Sequence, residues 1–154
     1  MVCLGNICRS PLAEGILRKK ALERGLALDI DSAGTSDFHV GDSPDKRTID
    51  NALSHDVDLR NLRGRQFTQE DYQKFDRIFA MDTQNLEDIH ALAPDAHSAA
   101  KAELLLNLVY PGRNVSVPDP YYGGPDGFEK VFQLVATACD KLVNQLENNP
   151  KLEQ

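Results

Sequence analysis

Near its amino end this 154-residue chain carries a cysteine, five residues, an arginine and a hydroxyl in one unbroken run, Cys3-Leu4-Gly5-Asn6-Ile7-Cys8-Arg9-Ser10. Residue types in that order suit the capture of a tetrahedral anion. The backbone N–H groups of Leu4, Gly5, Asn6, Ile7 and Cys8, curled above a helix start, form a nest for such an anion, and the helix dipole adds positive potential there. Gly5 is expected to let the backbone turn tightly. Arg9 can grip two phosphoryl oxygens through its planar fork, and the Ser10 hydroxyl falls beside the cradle. At the base of this positive field, a Cys3 thiolate is stabilised and can attack phosphorus. Cys8, in the same loop, reads either as a small buried residue or as the partner of a reversible disulfide that would shield Cys3 from irreversible oxidation.

A thiolate displaces an aryl oxygen efficiently only if that oxygen is protonated as it leaves, so a carboxylic acid must reach it from outside the loop. Asp119 is the best candidate: Pro118 and Pro120 stiffen its backbone, and Tyr121 and Tyr122 set aromatic surface beside it. The residues alone leave this open, because an Asp between prolines is also a common turn residue. Asp82 follows an apolar run and reads equally as the cap of the next helix or as a brace for the anion loop. Phe38, among Ser36, Asp37 and His39, lies in too polar a stretch for a core residue, and His39 is expected in an exposed loop rather than as a base.

Positioning these groups requires strands and helices in alternation, and the apolar periodicity supplies them. A helix is expected over Ser10 to Arg24, with Leu12, Ala13, Ile16, Leu17 and Ala21 on one face and Ser10-Pro11 as its start. Leu26 to Asp31 alternates as a half-buried strand would, up to the breaker Gly34. Pro44 and Asp45 open a second helix, and Thr68 is expected to cap a short third one. Ile78 to Met81 reads as a strand buried on both faces, Gln84 to Leu92 as a helix, and Lys101 to Leu106 as an apolar segment that could be a strand. A Pro/Gly-rich loop is expected over Pro111 to Gly127. The chain then closes with a long helix whose stripe is Phe128, Val131, Phe132, Val135, Cys139, Leu142 and Leu146. Such alternation favours a parallel sheet covered on both sides, with ligands bound at the carboxyl ends of its strands.

The length fits a single domain, expected over residues 1–147, with a frayed tail at 148–154. A formal net charge of −7 argues against broad binding to nucleic acid or anionic membrane, so the electrostatics of any anion site must be local. No apolar run approaches the ~20 residues that span a bilayer, and a cytoplasmic monomer is expected. Three cysteines offer neither a secreted disulfide framework nor a paired zinc motif, and no metal or cofactor is expected.

The run CLGNICRSPLAE resembles the signature of the low-molecular-weight protein tyrosine phosphatases. The likeness continues, in order, through DSAGTSDFHVG at Asp31 to Gly41, SPDKR at Ser43 to Arg47, AMD at Ala80 to Asp82 and DPYYG at Asp119 to Gly123. It implies a three-layer, Rossmann-like fold with a four-stranded parallel sheet. It also implies hydrolysis of phosphotyrosine in protein substrates through a phosphocysteine on Cys3, with Arg9 binding the phosphoryl group and Asp119 as general acid and base. By the same resemblance Phe38, Tyr121 and Tyr122 flank the substrate ring, with Leu4 nearby, and Asp82 stands behind the loop. Animal members commonly have a histidine where this chain has Leu62, and that histidine helps hold the loop asparagine. Asn6 must therefore find another partner, for which Ser32 is the candidate.

Three rival functions stay in view. An arsenate reductase on this fold would need further cysteines after the third strand, and Met81 to Leu92 contains none. Phosphoarginine phosphatases have threonine where this chain has Ile7. A weakly active phosphate-binding module is the third, kept open by the amino end: only Met1 and Val2 precede Cys3, where the family usually has several apolar residues. The first strand is expected to be shortened, with Met1 an internal start and further apolar residues ahead of it in the natural chain.

Overall fold

The computed structural model describes residues 1–121 and 124–149. Its elements alternate along the chain. Strand β1 (Val2–Cys3) leads into helix α1 (Arg9–Glu23), followed by β2 (Ala33–Gly34), α2 (Lys46–Ser54) and α3 (Asp71–Lys74). Then come β3 (Ile78–Ala80), α4 (Thr83–His90), α5 (Ala96–Ala99), β4 (Ala102–Leu104), a 3-10 turn at Leu105–Leu108 and α6 (Pro125–Asn148). The four strands form one parallel sheet in the order β2-β1-β3-β4. Because successive strand residues face opposite ways, the sheet feeds two cores. Cys3, Phe79 and Met81 join the core under α1 and α6, whereas Val2, Ile78, Ala80 and Leu104 join the one holding Tyr72 and Ile89. The expected three-layer sheet is therefore present.

Helix α6 buries Phe128, Val131, Phe132, Val135, Cys139, Leu142 and Leu146 as the periodicity requires, together with Ala138 and Val143. Each large apolar side chain removed from water in this way contributes about 1.5–3 kcal/mol. The helix starts earlier than expected: Pro125 takes its first turn behind Gly124, so Gly127 is helical and not part of the loop.

Other boundaries moved for identifiable reasons. Leu26–Asp31 is not a strand, since the pairing begins only at Ala33, opposite Val2. Ile30 is still buried, and its carbonyl accepts a bond from the Arg18 guanidinium. A strand needs a neighbour, and β1 reaches back no further than Val2. Thr68 does not cap α3; instead its own N–H donates to Asp71 Oδ2 at 2.9 Å. Nor does Ser10 cap α1, for its hydroxyl is engaged at the nucleophile.

Where a longer β1 would run, a slot of about 320 Å³ opens between residues 27–33 and 75–79, lined also by Leu17, Leu142 and Leu146. The Met1 amino group sits at its mouth, donating to the Asp31 carbonyl at 3.1 Å. Burial lowers the pKa of that amine below its ordinary value, a loss that Glu14 and Asp31 partly offset. The slot lies at the amino end of β1, whereas the candidate chemistry gathers at the carboxyl end.

Candidate active site

The anion loop hangs between Cys3, at the end of β1, and α1, whose first residue is Arg9. Cys3 is buried, and its Sγ accepts the Asn6 N–H at 3.3 Å. Ser10 Oγ lies 3.0 Å from Sγ, and toward a thiolate only the hydroxyl can donate. The tight turn falls on Asn6, at φ 57°, and not on Gly5. Asparagine tolerates that region, and here its side chain is fully committed. Nδ2 donates to Ser10 Oγ at 2.7 Å and to Ser32 Oγ at 3.0 Å, while Oδ1 accepts the Arg65 N–H at 3.1 Å. Ser32 is thus the expected substitute for the absent histidine, and the Arg65 backbone is a second one. Gly5 has a different use: a Cβ there would come within 3.1 Å of the His39 ring, which would have to shift. Gly34 does the same for the other wall, where a Cβ would lie 2.8 Å from the Leu4 carbonyl oxygen.

Arg9 is buried and aimed across the loop. Its Nη1 donates to Asp82 Oδ2 at 2.8 Å and to the Val117 carbonyl at 3.1 Å. Asp82 takes both of its expected roles, because Oδ1 also caps α4 by accepting the Asn85 N–H at 2.7 Å. Asp119 approaches from the opposite rim: Oδ2 is 3.6 Å from Arg9 Nη2, and Oδ1 accepts the Tyr121 N–H at 3.0 Å. Cys3, Arg9 and Asp119 line one cleft of about 290 Å³, with Leu4, Ile7, Phe38 and Tyr121 as its apolar walls. Phe38 is 79% exposed where it lines the cleft. Tyr122, the third expected wall residue, lies outside the described residues. His39 lines the cleft as well, hydrogen-bonded to Asp42 at 3.0 Å.

Cys8 is buried beside Thr48, and desolvation pushes its thiol up to about 12. All three cysteines are free. Cys139 is fully buried against α1, with its thiol likewise raised to about 12 by burial, in keeping with a packing role.

One supporting residue carried no expected role. Glu14 is 3% exposed; its Oε1 accepts the Ser32 hydroxyl at 2.6 Å and its Oε2 the Arg18 Nε at 2.9 Å. A carboxylate thereby fixes the serine that fixes Asn6. The signal available was an acid close to a helix face otherwise made of Leu12, Ala13, Ile16 and Leu17.

With this geometry in hand, the comparisons with known proteins agree. A family model described as low molecular weight phosphotyrosine protein phosphatase matches residues 1–152. The chain belongs to that family. A member from Schizosaccharomyces pombe is 44% identical over 138 residues, covering 87% of each chain. The crystal structure of a protein tyrosine phosphatase from Entamoeba histolytica, with Hepes in its active site, superposes with a TM-score of 0.90 at 34% identity, covering 97% of this chain and 96% of that one. The Drosophila arginine phosphatase structure superposes nearly as well, with a TM-score of 0.88 at 30% identity and 96% of each chain covered. Backbone likeness therefore does not choose between a phosphoryl ester and an N-phosphoryl guanidine, and the choice falls to side chains in the cleft.

Proposed function

We propose that this chain hydrolyses phosphotyrosine in proteins, and small aryl phosphates, through a phosphocysteine on Cys3. The observation that carries the proposal is the convergence of Cys3 Sγ, the Arg9 guanidinium and the Asp119 carboxyl on one cleft. Backbone N–H groups of Leu4, Gly5, Asn6, Ile7 and Cys8, with the Arg9 fork, hold the phosphoryl oxygens. The thiolate attacks phosphorus, the bond to the tyrosyl oxygen breaks, and Asp119 gives its proton to the leaving oxygen. A water then attacks the phosphocysteine, Asp119 takes a proton from it, and the phosphorus–sulfur bond breaks to release phosphate and the thiolate. Ser10 supports that last departure, since its hydroxyl can donate to the sulfur as charge returns.

The cleft walls support an aromatic substrate, because Leu4, Phe38 and Tyr121 offer apolar surface at the mouth. Ile7 supports phosphotyrosine over phosphoarginine, as the family's phosphoarginine branch carries threonine there. One chain supplies every group used, in keeping with a monomer. No helix among the described residues is long and apolar enough to cross a membrane.

Replacing Cys3 with serine is the direct test. Cys3→Ser should abolish turnover of phosphotyrosine while retaining vanadate or phosphate binding, because a neutral hydroxyl is a far poorer nucleophile but leaves the cradle in place. Substantial turnover by that variant would sink the mechanism.

A further inference from the structure

Arg47 stands outside the cleft, yet its two neighbours, Asp45 and Tyr121, each bond to a part of the machinery. It lies in the first turn of α2, just after Asp45, whose carboxylate accepts the Arg47 backbone N–H at 2.8 Å, Nε at 3.0 Å and Nη2 at 3.0 Å. That bidentate fork fixes the plane of the guanidinium, as a lysine ammonium could not do. The guanidinium carbon lies 4.8 Å from the ring centroid of Phe128, a buried residue of α6. It also lies 5.3 Å from that of Tyr121, within reach of a cation–π contact. The remaining connections run straight into the site. Asp45 N–H donates to the Ile7 carbonyl of the anion loop at 2.7 Å, and Tyr121 N–H donates to Asp119 Oδ1 at 3.0 Å.

From this chain of contacts, Ile7 to Asp45 to Arg47 to Tyr121 to Asp119, we infer that Arg47 is a positioning residue for the acid. It holds the Tyr121 ring, and with it the Asp119 carboxyl, at a fixed place over the anion loop. The inference rests on the phosphatase reading above and extends it to the loop that carries the proton. A residue that only stabilised the start of α2 would bind Asp45 equally well but would have no reason to lie within cation–π reach of two aromatic rings from other parts of the chain.

The two roles separate in the dependence of rate on the leaving group. Phenyl phosphate needs its oxygen protonated, whereas p-nitrophenyl phosphate needs little help. Arg47→Ala should lower kcat/KM on phenyl phosphate by about tenfold and on p-nitrophenyl phosphate by no more than about twofold, because misplacing a proton donor slows only the step that uses it. Vanadate affinity should be unchanged, since the anion loop is intact. In an Asp119→Asn background, the same replacement should cost nothing further on phenyl phosphate, because two residues acting through one proton are not additive. Arg47→Lys should give the same pattern at smaller amplitude, and it carries the test should Arg47→Ala fail to fold. Equal slowing of both esters, no slowing of either, or an undiminished cost in the Asp119→Asn background would each overturn the inference. A parent chain inert toward both esters would overturn the phosphatase reading and this inference with it, so the two failures are distinguishable.

Discussion

Asp119 has its carboxyl shared between a backbone N–H and the edge of the Arg9 guanidinium, and half-open to solvent. Both partners are held from elsewhere, so the carboxyl is placed over the loop before any substrate arrives. Asp119→Asn should therefore cost about 10²–10³ in kcat/KM on esters with poor leaving groups and much less on good ones, as loss of a general acid does. A plot of rate against leaving-group pKa checks this, and parallel lines for parent and variant would remove Asp119 as the acid. At this scale the sequence was most legible where the chemistry is contiguous. Cys3, Arg9 and Ser10 sit within eight residues, and Asp119 carries its own prolines and aromatics. Legibility failed where support is long-range or made by backbone. Nothing in the letters tells that the Arg65 N–H reaches Asn6 from 59 residues away, or that Glu14 braces Ser32.

Helix α4 begins at the residue that anchors Arg9, so one carboxylate serves a helix end and a catalytic loop. Both Asp82→Asn and Asp82→Ala remove the anion beside the buried Arg9 guanidinium and should lower stability and kcat/KM, but Asn caps as well as Asp, so Asp82→Ala should cost a further ~1 kcal/mol of stability. If both variants lose stability alike, the cap is not made by that side chain. A polar link joins α2 and its C-cap His55 to α6: His55 Nε2 lies 2.8 Å from Glu129, and Asn51 donates to Glu129 at 2.9 Å. Hydrogen bonds from His55, Gln133 and Asn51 hold the Glu129 carboxyl down at about 2, from an ordinary 4.5. A depressed carboxyl stabilises the fold above its unfolded value, and that contribution is lost as pH falls from 4.5 toward 2. Because the Glu129 side chain is 44% exposed, the link is worth only about 0.5 kcal/mol after screening. Glu129→Gln should thus lower the unfolding midpoint slightly at pH 7, with the difference fading below pH 4.5; a constant difference down to pH 2 would refute the linkage. The long helices were readable from their apolar stripes, and α2 and α4 from their caps Asp45 and Asp82, whereas Leu26–Asp31 was misread because alternation reports a half-buried face and says nothing of whether a partner strand lies alongside.

The sheet has two halves, β2 on one side and β3 with β4 on the other, and among the described strands they meet only through β1, by two residue pairs to β2 and one to β3. The fold class was legible in the alternation of elements, and so was a short first strand. What the letters do not give is the slot itself, since a void is a property of the neighbours' packing. An extended Val/Ile/Leu run joined ahead of Met1 should enter the slot and pair with both facing segments, raising the thermal midpoint by several degrees, as 1–2 kcal/mol would in a domain this size. An unchanged midpoint would mean the slot does not take a strand. There is also a consequence for cooperativity. The nucleophile sits on the two-residue strand β1, so its opening should displace Cys3 before the helical layers part, since local release needs less free energy than global unfolding. Heating should therefore silence the enzyme at a lower temperature than it melts the helices, and the gap between those two temperatures measures how independently the two halves of the sheet can move.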